Sequence, residues 1–419
     1  VSTTTDSSTS SNTDTDTDPS LSERLHVSDV AVSVAVKAGV RNWRIWGSSS
    51  LKVAPVYTAA LANGQSLVCL TSASGGSIKA HVAQLASDDS LIQVHELGSD
   101  VECRGMAAQS DGSFGVLLWN EGAQSIRLSR YDATAVLLGS TTLANADNKA
   151  TDFGIGDSRV DAGGGKYGAY YHVHSNDGHE GDTLKWVNAA SGSETTGWTW
   201  GCSHSMSNAL RYNTAHNAFL SACATDCYPG TNGDFATQSI GGIYLERSTK
   251  VMDFDGACNG KVAAEVGSAA PADSGWKMVF NGHQNPASKG QNSYNPATMN
   301  QDIGWTSIGA DKKAGAIVWL TSTPGTNEAD ASVARWKPAG ASKESFVVGW
   351  MEQGNNKYYL QEVDGSGKAV SAAEDITGKA RWGLRDDPFR QAANGDIIWA
   401  WFDSAGSSTL HFARIRASK

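Results

Sequence analysis

Four of the chain's ten histidines, His172, His174, His179 and His204, fall between residues 170 and 204. Three of its six cysteines, Cys202, Cys223 and Cys227, lie at the end of that stretch or just beyond it. Imidazole moves protons near neutral pH and is a common metal ligand, so the stretch is a candidate site. In His172-Val173-His174 the one-residue spacer puts two imidazoles on one face of a strand. With a third nitrogen from His179, His204 or His283 they would suit Zn²⁺, Cu²⁺ or Mn²⁺. The following Asn176-Asp177-Gly178-His179-Glu180-Gly181-Asp182 offers oxygen ligands in a Gly-rich loop, as Ca²⁺ prefers, without the spacing of an EF-hand. A divalent metal, Zn²⁺ or Ca²⁺, is therefore the one cofactor expected. The plainer reading is one packed histidine, one exposed histidine and a solvated turn.

A second constellation joins His204 with Tyr171 or Tyr228 and with Arg159 or Arg104. A His or Tyr base, a Tyr or His acid and a cation that offsets a carboxylate are the parts of a β-elimination on a uronic-acid polysaccharide. His174 and His204 would be the acid/base or ligand groups and Tyr171 the proton donor. Arg159 and Arg385 would offset substrate charge. Arg104, Asp387, His283, Trp200 and Tyr228 complete the expected substrate contacts. Trp198, Trp200 and Trp382 could lie against sugar rings, and core packing explains them equally well.

These residues need a scaffold, and the chain supplies one by repetition. Strongly apolar segments recur at 65–72, 113–121, 166–174, 217–225, 275–283, 345–352 and 396–403. Alternating segments such as 125–131 and 409–415 follow them with period two. The seven copies are spaced by roughly 50 to 70 residues, as for four-stranded blades with some long loops. The last copy ends without a fourth strand, so the segment 30–46 is expected to supply it and close the ring. The pattern resembles secreted seven-bladed β-propellers, some of which are polysaccharide lyases with a His/Tyr/Arg centre. No motif matches those lyases residue by residue, and no role is carried over from them.

The resemblance implies that strand entries and second-to-third loops share one face. The long loops are then 175–182, 226–239 and 284–301, and long loops on a rigid scaffold are where function concentrates. Aligning the copies on Trp119, Trp350 and Trp401 puts Glu121, His174, His283, Glu352 and Asp403 at equivalent strand ends. Innermost strands would begin near Arg104, Arg159, His204, Asp330 and the run Arg385-Asp386-Asp387. All would converge on one mouth.

Residues 1–26 are dominated by Ser, Thr and Asp and read as a disordered linker, with the propeller spanning 27–419. That tail is similar to the spacer after the lipid-bearing cysteine of bacterial surface lipoproteins. A net charge of -10 argues against nucleic acid as a partner. No apolar run is long enough to span a membrane. Six cysteines permit disulfides in an oxidising compartment. Cys69 and Cys103 form one expected pair; among Cys202, Cys223, Cys227 and Cys258 the connectivity is open, and a Cys/His metal site is the alternative. Sialidase Asp boxes, a nucleophile elbow, a Walker loop and a His-Glu-x-x-His helix are all missing.

The expectation is a monomeric all-β propeller, secreted or lipid-anchored at a cell surface. It would act on a polysaccharide as a lyase or with a metal. A lectin, an adhesion module or a scaffold for a protein partner would be non-catalytic alternatives.

Overall fold

The computed structural model describes residues 19–39, 41–44, 47–144, 158–174, 180–199, 201–202, 207–225, 240–255, 264–284, 300–337, 343–383 and 387–418. Seven four-stranded antiparallel sheets form a seven-bladed β-propeller, and the single described helix has four residues. Blades 1 to 6 each run consecutively from inner to outer strand. Their inner strands start at Tyr57, Glu102, Ser158, Asn208, Ala264 and Glu328. Blade 7 takes three strands from the C-terminal part and its outer strand from Leu25–Ala31.

Local chemistry explains the strands. Second strands such as Phe114–Asn120 and Ser345–Glu352 are nearly continuous runs of buried residues, because blades pack on both their faces. Outer strands such as Glu194–Trp198 are largely exposed. Tight turns rest on aspartates. Asp111 Oδ1 accepts from the Ser113 backbone N at 3.0 Å and its hydroxyl at 2.7 Å, while Gly112 supplies a φ of 87°. Between blades the seams are apolar. Trp336, Trp382, Phe389, Trp399 and Trp401 fill the one between blades 6 and 7.

Ring closure differs from expectation in position. The outer strand of blade 7 is Leu25–Ala31, paired with the C-terminal strand from Leu25↔Ile415 to Ala31↔Thr409. It starts before the expected boundary at 27. Leu21–Arg24 leads into it as a helical turn with a capping box on Ser20. Glu374 of blade 6 accepts from the backbone N of Leu21 at 2.9 Å and of Ser22 at 2.8 Å. Of the expected segment 30–46 only Val30 and Ala31 belong to the strand, which ends just before Ser33, at φ 59°. Val36 instead bridges to Ser72 of blade 1, and Arg41–Arg44 pairs with Gly47–Ser50 as a separate hairpin. Arg414 adds an ionic clasp, 2.6 Å from Asp89 of blade 1 and 2.9 Å from Asp396.

Candidate functional site

Two clusters of charge stand out, one across the centre of the ring and one between neighbouring blades. The first joins blades that lie on opposite sides of the ring. Asp387, just before the inner strand of blade 7, is buried, with Arg211 of blade 4 at 2.6 Å, Arg390 at 3.6 Å and Arg159 of blade 3 at 3.7 Å. Blades 3 and 4 can meet blade 7 only across the axis, so these side chains plug the channel. Arg390 Nη1 also donates to the Asp387 carbonyl at 2.7 Å. Burial and the nearby Arg211 pull Arg390 down to about 10. Asp161 stands beside the group and accepts from the Tyr212 backbone N at 2.7 Å; burial pushes its carboxyl up. Asp387 holds a left-handed φ of 47°, a conformation that aspartate tolerates better than most residues.

The second cluster lies between blades 5 and 6, on the face where second strands end. Glu328 opens the inner strand of blade 6, and its ladder partner is Glu352, the last residue of the adjacent strand. Asp302 opens the third strand of blade 5. Thr323 bridges the two acids. Its backbone N donates to Asp302 at 3.2 Å and its hydroxyl donates to Glu328 at 3.2 Å. Thr321 donates a second hydroxyl to Glu328, while Gln284 and Asn300 donate to Asp302 at 2.9 Å and 3.2 Å. Glu352 accepts from Asn355 at 2.9 Å and Tyr359 at 3.1 Å.

Glu328 is 4 % exposed. Burial pushes its carboxyl up to about 7, aided by the charges of Asp302 and Glu352 and opposed by the two threonine hydroxyls. Burial also raises Asp302, against its hydrogen bonds and the His283 imidazole nearby. The arrangement brings the titration of one carboxyl up to neutral pH beside two further carboxylates. That is what a general acid requires.

Of the expected site residues, Arg159 and Asp387 come together, as an ion pair within the plug. Arg104 is buried, 2.9 Å from Glu102 and stacked over Trp119, with Lys37 2.9 Å from the same Glu102. His283 sits half-buried beside Asp302. Tyr171 is fully buried in the seam between blades 2 and 3, its hydroxyl 3.5 Å from the Leu143 carbonyl. Burial raises its phenol well above the usual range. His172 is fully buried in blade 3, paired in register with Asp182. His179, Trp200, His204, Tyr228 and Arg385, and the side chain of His174, lie outside the described residues. So does most of each long loop.

Among the described residues one trio brings metal-ligand atoms within 4.8 Å of one another: Asp182, Cys202 and Cys223. The two sulfurs are joined as a disulfide, and the Asp182 carboxylate accepts from Tyr170 at 2.7 Å and Trp198 at 3.1 Å. That spends the donors a cation would need. Cys69–Cys103 is the other described disulfide and ties blade 1 to blade 2.

Sequence reasoning named Glu352 and His283 but missed Glu328, Asp302, Thr321 and Thr323. The available signal was positional, since Glu328 and Asp302 both open strands on the face that the Trp-anchored alignment had marked.

No protein-family model matches the chain, and no curated protein matches it. Among solved structures it is similar to the propeller of Dos1, at 11% identity and TM-score 0.45, covering 91% of this chain and 82% of that one. An α-L-arabinanase of Penicillium chrysogenum aligns over 92% of this chain and 98% of its own, at 9% identity and TM-score 0.45. An α-L-arabinofuranosidase of Fusarium graminearum aligns over 91% and 98%, at 10% identity and TM-score 0.45. Likeness at this level is one of architecture, and the blade count rests on the strand pairing described above.

Proposed function

We propose that the protein is an extracellular carbohydrate-active enzyme that cleaves a glycan by acid/base chemistry at the mouth between blades 5 and 6. Glu328 is the proton donor. Glu352 or Asp302 is the second carboxylate, since glycoside cleavage uses one protonated and one ionised carboxyl on either side of the scissile bond. The observation that carries the reading is Glu328, buried among like charges and pushed up to about 7. Two disulfides support an oxidising compartment. Among the described residues no helix is long and apolar enough to cross a membrane.

The eliminating version, with His174 and His204 as acid/base groups, draws less support. Tyr171 has its hydroxyl inside a blade seam, and Arg159 and Arg104 already face Asp387 and Glu102. A substrate carboxylate would have to displace those partners. A metal held by His172, His174 and His179 stays a separate proposal, tested by elemental analysis of metal-replete protein.

Incubation with a panel of neutral and acidic polysaccharides tests the reading. New reducing ends without the absorbance of unsaturated sugars are expected. Glu328→Gln should lose about 10²-fold or more of that activity while folding normally. Unsaturated products, or an unimpaired variant, would overturn it. Binding without turnover on every glycan tried would favour a lectin-like module instead.

A further inference from the structure

The second strand of blade 6 ends in Met351 and Glu352, which point to opposite faces of the sheet. Glu352 belongs to the acid cluster. Met351 lines a cavity of about 240 Å³ on the other side, between blades 6 and 7 and the segment that leads into blade 1. Tyr358 contributes an apolar wall, with the edges of Trp382 and Trp401, which are otherwise buried in the seam. Three charged side chains line it as well: Lys52, Arg381 and Asp403.

The charges do not balance. Arg381 is 39 % exposed and uses Nη2 for both Asp403, at 2.9 Å, and the Phe402 carbonyl, at 3.0 Å. Among the described residues the rest of its fork has no hydrogen-bond partner. Asp403 is held in addition by His411 Nε2 at 3.1 Å and Trp401 Nε1 at 3.2 Å. The lining thus carries two cations and one carboxylate, and that carboxylate is already well supplied with donors. An apolar-walled cavity with a spare guanidinium edge takes a ligand that has an apolar flank and a carboxylate.

We propose that this cavity is a subsite for an acidic sugar unit, a hexuronate, whose carboxylate meets Arg381 and Lys52 while the C–H flank of its ring lies against the apolar lining around Tyr358 and Val53. It rests on the glycan reading of the mouth and extends it, placing the acidic unit across the blade 6 sheet from Glu328.

Ligand-observed NMR and calorimetry on the full chain test this with D-glucuronate, D-glucose and benzoate as probes. Glucuronate should bind, with glucose and benzoate each weaker by about ten-fold or more. Arg381→Gln should lose about ten-fold in glucuronate affinity, whereas Asp403→Asn, which removes the competing carboxylate, should gain several-fold. Thermal melting checks that both variants stay folded. Equal binding of glucose or benzoate, no binding of glucuronate, or loss of affinity in Asp403→Asn would each overturn the proposal. Glu328→Gln separates the two readings. If it binds glucuronate normally and loses turnover, both hold; if it binds and turns over normally, the catalytic reading fails and the subsite stands.

Discussion

At Asp387 three guanidiniums surround one carboxylate; at Glu328 two further carboxylates stand around one. Each cluster has a buried carboxylate at its heart and each draws on more than one blade. Opposite charges at Asp387 offset the cost of burial, and the product is a clasp across the channel. Like charges at Glu328 add to that cost, and the group avoids it by keeping a proton. Buried charge alone therefore does not mark a site. The sign of its neighbours separates the ionic plug from the proton reservoir.

The largest expected effect comes from breaking the clasp. Asp387→Ala leaves Arg159, Arg211 and Arg390 facing one another without their shared carboxylate, and should cost about 3–5 kcal/mol in denaturant unfolding. The rate per folded molecule should stay close to wild type. Preserved stability with lost turnover would move Asp387 from scaffold to site and dissolve the contrast.

The acid cluster should leave its mark on the pH dependence of stability. Glu328 is raised from 4.5 to about 7 in the folded protein, so between those values the folded form keeps a proton that the unfolded chain has lost. Stability should fall as pH rises through that window, by up to about 3 kcal/mol, and level off above it. Asp302, also raised, adds a fall of the same sign. Paired melts of wild type and Glu328→Gln at pH 4 to 8 measure this, and the Glu328 part should be missing from the variant. Coincident pH profiles would count against the assignment.

The smallest effect concerns the bridge. Thr323→Val removes a hydroxyl that favours the ionised Glu328 while keeping the backbone donor to Asp302. The basic limb of the rate profile should shift upward by about 1 pH unit or less. A downward shift would mean that the hydroxyl serves the protonated form.

The blades were legible because their signal is local. Residues 166–174 and 345–352 read as apolar second strands and are those strands residue for residue; 125–131 and 409–415 alternate and pair as third strands. Ring closure by an N-terminal strand was legible too, but its location was not, since the break at Ser33 is a backbone conformation and not a composition. The aligned strand ends named Glu352 and His283, which the structure places beside Glu328 and Asp302. The acid itself was not legible. Glu328 and Asp302 are ordinary carboxylates in ordinary strand openings, and only the packing of blade 5 against blade 6, with Thr323 between them, makes them interact. Arg159 and Asp387 show the converse: both were placed at the mouth by sequence, yet their pairing across the ring turns expected substrate contacts into a plug.

The measurement closest to the central claim is the carboxyl titration of Glu328 itself. Protein labelled with ¹³C at glutamate carboxyls should show one resonance titrating near 7, set apart from the usual glutamate range and missing from Glu328→Gln. If the resonance that disappears in the variant titrates near 4.5 like an unperturbed glutamate, Glu328 holds no proton at neutral pH and the proposed acid is wrong.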